Sequence, residues 1–128
     1  MPRIWNPTTL APPKGAYSQC AEIQAGERIV HLAGQIGVDT KGKLAIGIEK
    51  QAEWALKNLR AALRANKMGL ENITKMTIYA TRHDFIPGYR SARMKIMGDI
   101  HPPNTYLIVS GLAQPEWLIE IDAFAAKP

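Results

Sequence analysis

The sequence contains a single cysteine, Cys20, among its 128 residues. One cysteine can neither form a disulfide within the chain nor build a cysteine-based zinc site. Cys20 falls in a predicted strand, where an unreactive buried thiol is more common than a nucleophile. Histidine is also scarce, because His31, His83 and His101 lie far apart and no two of them have the spacing of metal ligands. The sequence therefore indicates no metal site.

Long apolar runs are absent as well. A membrane-spanning helix needs roughly 20 consecutive, mainly apolar residues, and no segment approaches that length. Residues 1–5 lack the apolar core of a signal peptide. The contents of hydrophobic residues (46%) and charged residues (21%) are ordinary for a soluble globular protein. We expect a cytoplasmic protein with no membrane partner, folded as a single domain over residues 1–128.

The chain also lacks a basic run with interleaved aromatic residues, the pattern typical of a nucleic-acid surface. Its net charge of +5 favours anionic partners in general, but the lysines and arginines are scattered. We interpret the two densest basic groups as solvated helix faces, and nucleic acid is not an expected partner. These groups are Arg60, Arg64 and Lys67, and Arg90, Arg93 and Lys95.

The first third of the chain predicts strands after an irregular start. Residues 1–15 are rich in proline, which resists regular structure. A strand is predicted from Tyr17 to about Gln24, and a second over 28–33, ending at Gly34. Because a short turn joins them, the two strands are predicted to form a hairpin.

Two segments have helical periodicity. Apolar residues recur at helical spacing from Gly47 to Asn66, and Gly69 is predicted to supply the left-handed residue that ends this helix. A second helix is predicted over residues 85–97, with Asp84 as its cap and Gly98 as its terminator. Each helix has one apolar stripe.

Three further segments alternate in the manner of strands. Residues 73–81 alternate between an apolar and a polar face. Residues 102–109 and 117–124 are rich in β-branched and aromatic residues, and the short polar loop between them predicts neighbouring strands. Glu120 and Asp122 share one face of the last strand, where two interpretations remain open. They belong either to a solvated sheet face or to a functional site.

These elements, in the order ββ(β)αβαββ, predict an α+β fold. Two helices with one apolar stripe each must cover one face of a mixed, mainly antiparallel sheet. The other face of the sheet then needs a partner. The pattern by itself predicts a two-layer domain that oligomerises.

Short motifs then add a family resemblance. The segments GAYSQ (15–19), LAGQIG (32–37) and IEIDA (119–123) resemble, in order, the patterns G-P-Y-S-Q, S-G-Q-I-P and I-E-I-E-A of the RidA/YjgF family, also labelled endoribonuclease L-PSP. The resemblance covers nearly the whole chain. It implies the chorismate-mutase-like fold, in which three copies pack their uncovered sheet faces into a trimeric barrel with clefts between subunits.

The resemblance also implies a chemistry. Family deaminases hydrolyse enamines and imines, such as 2-aminoacrylate, to ammonia and a 2-keto acid, and they need no cofactor. Glu120 matches the family acid that orients water, Tyr17 matches the tyrosine lining the cleft, and Gly34 matches a glycine whose backbone lies against the ligand. Structural alternatives stay open: Tyr17 as a packed aromatic and Gly34 as a bulge.

The substrate-binding segment departs from the family at Asn104. The family pattern is Pro-x-Arg-Ser, whose arginine holds the substrate carboxylate as a two-pronged donor. Asparagine has no charge, and losing such a contact typically costs ~1.5–3 kcal/mol. Thr105 and Tyr106 complete the expected substrate-binding set, and Tyr106 stands where members often have a small residue. The sequence thus argues against a standard 2-iminopropionate deaminase.

Three functions remain open. The first is a RidA-like hydrolase or deaminase acting on a small imine, enamine or related C–N metabolite in an intersubunit cleft. The second is a non-catalytic trimer that binds a small metabolite. The third, an endoribonuclease or translation inhibitor, has the least support, because the chain has neither a catalytic histidine pair nor a basic groove with aromatic residues.

Overall fold

The computed structural model describes residues 2–128 and contains six strands and two α-helices in that part of the chain. Short 3-10 turns precede the fourth strand and the second helix. In chain order the elements are β1 (Arg3–Trp5), β2 (Cys20–Glu22), β3 (Arg28–Ile36), α1 (Ile48–Ala65), β4 (Ile73–Ala80), α2 (Ile86–Met97), β5 (Asn104–Ile108) and β6 (Ile119–Lys127).

The main sheet has four strands in the order β3-β6-β4-β5. The last strand, β6, lies inside the sheet and runs antiparallel to both of its neighbours, β3 and β4. β5 pairs with β4 in parallel at the edge. The predicted α+β class with a mixed, mainly antiparallel sheet and two helices is therefore confirmed.

The core lies between α1 and β6. Leu56, Leu59 and Leu63 recur at helical spacing and are fully buried. They belong to the same apolar cluster as Ile119 and Ile121, which alternate along β6 and are also fully buried. Because side chains alternate along a strand, this packing turns the intervening residues of β6 to the other face of the sheet.

The second helix packs on the first. A Cβ atom on Gly88 would lie only 2.8 Å from Cγ2 of Ile48, so the backbones of α1 and α2 approach closely there. Glu53 of α1 is buried and accepts hydrogen bonds from Lys50 and from Lys95 of α2. Burial by itself would raise the pKa of Glu53, but the two lysines outweigh burial and hold that pKa below its usual value.

The start of α2 differs from the prediction. Asp84 does not cap the helix; its carboxylate instead accepts hydrogen bonds from Arg82, at 2.9 Å. Phe85 occupies the N-cap position and offers no side-chain acceptor, while Pro87 fits the first turn, where its missing N–H is no loss. Gly98 ends α2 as predicted, with φ of 54°.

The predicted pairing of the last two strands is wrong. β5 and β6 do not touch, because β4 lies between them. Alternation identifies strands but not their partners, and the connection from Val109 to Leu118 is long enough to cross the end of β4, since neighbouring strands are only about 4.8 Å apart.

The predicted N-terminal hairpin is wrong too. β2 pairs with β1, and β3 pairs with β6. The turn between β2 and β3 does form, with Gly26 at φ 86°, but a turn does not oblige its flanking strands to pair. Residues 3–5, predicted to be irregular, form β1 between Pro2 and Pro7.

A buried glutamine fixes the approach to β6. Gln51, in the first turns of α1, is 3% exposed. Its Nε2 donates to the carbonyl oxygens of Ala45 and Glu116, and its Oε1 accepts from the N–H of Leu118 at 2.9 Å. One side chain therefore ties the loop before α1 to the loop that leads into β6.

The C-terminus of α1 is a Schellman motif whose left-handed residue is Lys67, with φ of 58°. The N–H of Met68 donates to the carbonyl of Leu63 at 2.9 Å, and the N–H of Lys67 donates to that of Arg64 at 3.0 Å. The prediction that Gly69 supplies this conformation is wrong, since Gly69 is extended. Met68, the apolar residue that follows Lys67, belongs to the same buried cluster as Leu63, as the apolar residue after a Schellman motif commonly does.

Two substitutions with opposite signs test this backbone geometry. Lys67→Gly should raise the free energy of unfolding by about 0.5–1 kcal/mol, since glycine adopts the left-handed conformation without strain. Gly98→Ala should lower it by roughly 1–2 kcal/mol, because φ is positive there. No atom lies within 4 Å of the added methyl group at residue 98, so crowding makes no contribution. Urea unfolding at one fixed protein concentration checks both values, and a less stable Lys67→Gly variant would contradict the assignment.

Candidate active site

Glu120 projects from the face of β6 opposite the helices, which we call the outer face of the sheet. Its strand neighbours are Ile36 of β3 and Tyr79 of β4, and its side chain is half-buried. Among residues 2–128, no group donates a hydrogen bond to its carboxylate, which therefore stays available to a water molecule or a substrate.

Gly34 lies directly against this carboxylate. A Cβ atom on residue 34 would meet Oε2 of Glu120 and would lie 2.8 Å from its Cδ. Gly34 also belongs to a β-bulge, because Leu32 pairs with Ala123 and Gln35 pairs with Ile121, so that two residues of β3 face one of β6. The two interpretations of Gly34 are thus compatible: the bulge brings the backbone to the acid, and the missing Cβ makes room for it.

The rest of the outer face combines polar and apolar groups. The hydroxyl of Tyr79 donates to the carboxylate of Asp122 at 3.0 Å, and this bond together with burial raises the pKa of Tyr79 above its usual value. Thr105 is on the same face, where its hydroxyl accepts from Lys75. Leu107 and Phe124 are each 43% exposed.

A cavity of about 490 Å³ opens on another side of the chain. It lies between residues 14–17, one side of α2 and β5. Tyr17, Asn104 and Tyr106, three of the predicted substrate-binding residues, line it. Side chains from three separate parts of the sequence therefore converge on one concave surface of a size typical of ligand sites, about 300–1,000 Å³.

Specific hydrogen bonds hold Tyr17 at this cavity. The hydroxyl of Ser18 donates to the carbonyl of His101 at 2.6 Å, just before β5 begins. The backbone N–H of Gln19 donates to Oδ1 of Asn6 at 2.8 Å. The GAYSQ segment is thereby attached both to the N-terminal segment and to the entrance of β5, which carries Asn104.

The side of α2 that faces the cavity presents Ile86, Tyr89, Arg90 and Arg93. This i, i+3, i+4, i+7 spacing places all four on one helix face. Sequence reasoning missed Arg93, which was assigned to a solvated face but is 8% exposed. The signal that could have identified it is its position one turn after Tyr89, on the apolar stripe of α2.

Two tyrosines complete the wall. The rings of Tyr89 and Tyr106 lie 5.3 Å apart between centroids and are tilted by 56°. Both hydroxyl oxygens are buried without a hydrogen-bond partner in the described chain. Burial raises the pKa of each tyrosine above its usual value, so both hydroxyls remain protonated at neutral pH.

The predicted site residues are therefore divided between two surfaces of one chain. Tyr17, Asn104 and Tyr106 line the cavity, whereas Glu120 and Thr105 lie on the outer face of the sheet. Alternation along β5 explains why Thr105 is separated from both of its neighbours. Gly34 stays with Glu120. Within a single chain, Glu120 and the cavity are not brought together.

Residues 2–128 contain neither a cluster of metal-ligating side chains nor a membrane-spanning helix. No group of three or more histidine, cysteine, aspartate or glutamate side chains could hold a metal ion. No helix in this span is both long enough and apolar enough to cross a membrane.

Comparison with known proteins gives consistent matches. The family model described as Endoribonuclease L-PSP matches residues 8–127. A RutC family protein of Pyrococcus horikoshii is 33% identical over 117 residues, which is 90% of each chain. The 2-iminobutanoate/2-iminopropanoate deaminase of Mus musculus is 37% identical over 82 residues, covering 61% of this chain and 58% of its own.

Solved structures share the fold. YyfB of Yersinia pestis, a protein of the Rid family, has a TM-score of 0.85, with 28% identity and 98% of both chains covered. TdcF of E. coli, solved with bound serine, has a TM-score of 0.74 over 98% of this chain. Its identity of 22% limits that likeness to the fold.

A pair of glycine substitutions tests the contact between Gly34 and Glu120. Gly34→Ala should cost about 1 kcal/mol of stability or less, because the end of a flexible, half-buried side chain can move aside. The carboxylate of Glu120 should then move away from residue 34. The ¹³C chemical shift of this carboxyl group would report the change.

Gly37→Ala is the matched control. Its Cβ would lie 2.7 Å from the backbone oxygen of Gln51, which cannot move without shifting α1, and it should cost about 1–3 kcal/mol. Equal losses of stability in the two variants would show that residue 34 also packs against rigid structure.

Proposed function

We propose that this chain, which belongs to the RidA/YjgF family, is a single-domain hydrolase that deaminates a small imine, enamine or related C–N metabolite. The family model that matches the chain carries the description endoribonuclease L-PSP. The observation that carries this proposal is the free, half-buried carboxylate of Glu120 against Gly34. Among the relatives, the matched deaminase of Mus musculus supports the reaction class.

The chemistry requires little beyond a positioned base. Glu120 accepts a proton from a water molecule as that water attacks the carbon of the C=N bond, and it returns this proton to the nitrogen, giving a carbinolamine. The same carboxylate then takes the hydroxyl proton of the carbinolamine and delivers it to the nitrogen, the C–N bond breaks, and ammonia leaves as the carbonyl forms. An imine and water thus become a carbonyl compound and ammonia, with no redox change.

The active unit in this proposal is a homotrimer. Glu120 and the cavity lie on different surfaces of one chain, so a complete site needs the outer face of one copy beside the cavity of another. Leu107 and Phe124 support such an assembly, because apolar side chains on an otherwise uncovered sheet face favour burial.

Asn104 sets the substrate apart from 2-iminopropionate. It lines the cavity where other members carry the carboxylate-binding arginine, and its amide has only a long contact, 3.4 Å, to the carbonyl of Pro102. A substrate other than a three-carbon imino acid fits this difference. The serine bound to TdcF supports a small-molecule cleft in this fold.

A second candidate is a non-catalytic trimer that binds a small metabolite. The same substitution at residue 104 favours it, because a cleft that has lost the family's substrate anchor can keep a ligand without the reaction. Ammonia release distinguishes the two candidates.

The role of Glu120 can be tested against a matched carboxylate. Glu120→Gln should leave the melting temperature and assembly near those of the wild type but lower kcat for ammonia release by roughly a hundredfold or more, since it removes the general base. Asp122→Asn, on the same strand and face, should retain turnover, because Asp122 is engaged by Tyr79. A panel of imines generated in solution supplies the substrates.

Two outcomes contradict the assignment. Full turnover by Glu120→Gln would remove the carboxylate from the reaction, and an unfolded variant would give Glu120 a structural role.

Assembly has its own test. Sedimentation equilibrium at micromolar concentration should give three times the mass of one chain. Leu107→Arg should shift the protein towards monomer, because it places a charge in an apolar interface. Met94→Arg is the control. Met94 is also apolar and exposed but lies on α2, so this variant should leave the mass of the assembly unchanged. A wild-type monomer would rule out the shared site.

A further inference from the structure

A buried cation in the cavity has no partner. Arg93 is 8% exposed, and its Nη1 atom has no hydrogen-bond acceptor in residues 2–128. None of the ion pairs or cation–π contacts of the same residues includes it. A buried charge without compensation destabilises a fold, so such a residue is a candidate for a function.

The groups that line the cavity around Arg93 include further cations and hydroxyl donors. Lys14 and Arg90 also line the cavity, and its lining contains no carboxylate. The buried hydroxyls of Tyr89 and Tyr106 have no partner either, and both stay protonated. The cavity thus offers positive charge and O–H donors to a ligand that brings the missing anionic acceptor.

We propose that Arg93 anchors a carboxylate of the compound that occupies this cavity, with the hydroxyls of Tyr89 and Tyr106 as further donors. Arg93 of α2 would then take the role of the arginine that other members carry at the position of Asn104, the first residue of β5. This inference specifies the charge of the substrate in the proposed function. It rests on that function for the assignment of the cavity to the substrate.

The other residues that line the cavity indicate the chemistry of the rest of the ligand. Ile86 and Ile108 are apolar, and Tyr17, Tyr89 and Tyr106 contribute aromatic rings. The volume, about 490 Å³, suits a compound larger than a three-carbon acid. The ligand is therefore an organic acid with an apolar or aromatic body.

Phenylacetate and its uncharged isostere phenylacetamide test the anchor by calorimetric titration of the full chain. Wild-type protein should bind phenylacetate at least about tenfold more tightly than phenylacetamide. Arg93→Met should weaken phenylacetate binding by roughly ten- to a hundredfold and leave phenylacetamide unaffected. Arg64→Met, with the same change of net charge outside the cavity, should match the wild type for both probes.

Thermal unfolding supplies a second, independent measurement. Without ligand, Arg93→Met should melt no lower than the wild type, because methionine fills similar space and removes an unpaired charge. Phenylacetate should raise the melting temperature of the wild type but not of this variant. Arg93→Lys keeps the charge without the planar fork, and its affinity for phenylacetate should fall between the two.

Several results would overturn the inference. These are no binding of phenylacetate by the wild type, equal affinity for the two probes, or unchanged affinity in the Arg93 variants. If Arg93→Met does not fold, the preference of the wild type for phenylacetate and the weakened binding of Arg93→Lys decide the question.

Failure of this inference is distinguishable from failure of the proposed function. Ammonia release that depends on Glu120, with carboxylate binding that is indifferent to Arg93, would refute only the anchor. Binding of phenylacetate that depends on Arg93, without ammonia release from any imine, would refute only the reaction.

Discussion

The packing of α1 on β6 is the contact on which the rest of the structure depends. Three fully buried leucines of the helix require an apolar strand face, and Ile119 and Ile121 supply it. Since β6 has a neighbour on each edge, it cannot slip by one residue without burying Glu120 and Asp122 in that core. The hydrophobic effect on one face of β6 therefore positions the carboxylates on the other.

Close backbone contacts hold this arrangement. Gln51 uses its buried amide to join the loop before α1 to the start of β6, and Gly37 lets the end of β3 approach the same residue. Gly34, three residues earlier in β3, admits the side chain of Glu120. Of these two glycines, Gly37 just after β3 thus serves packing, and Gly34 within β3 serves the candidate acid.

The two candidate surfaces are chemically complementary. The outer face presents a carboxylate that no donor of residues 2–128 satisfies, while the cavity presents donors, Arg93 and two tyrosine hydroxyls, that no acceptor satisfies. A ligand with an acidic group at one end and a reactive C–N bond at the other matches both. Unsatisfied buried groups lower the stability of a ligand-free protein, and a binding site is where a fold tolerates that cost.

The sequence by itself determined the two helices, the four strands of the main sheet and the face of β6 on which Glu120 lies. Helical periodicity located α1 and α2, and alternation placed Glu120 and Asp122 together, because both patterns follow from backbone geometry over a few residues. The motifs around Tyr17 and Gly34 indicated the family. Only the tertiary structure decided which strands pair, since β5 and β6 are separated by β4 through contacts that no local pattern encodes. It also decided the environment of Arg93, because whether a helical arginine is solvated or buried depends on what packs against its helix.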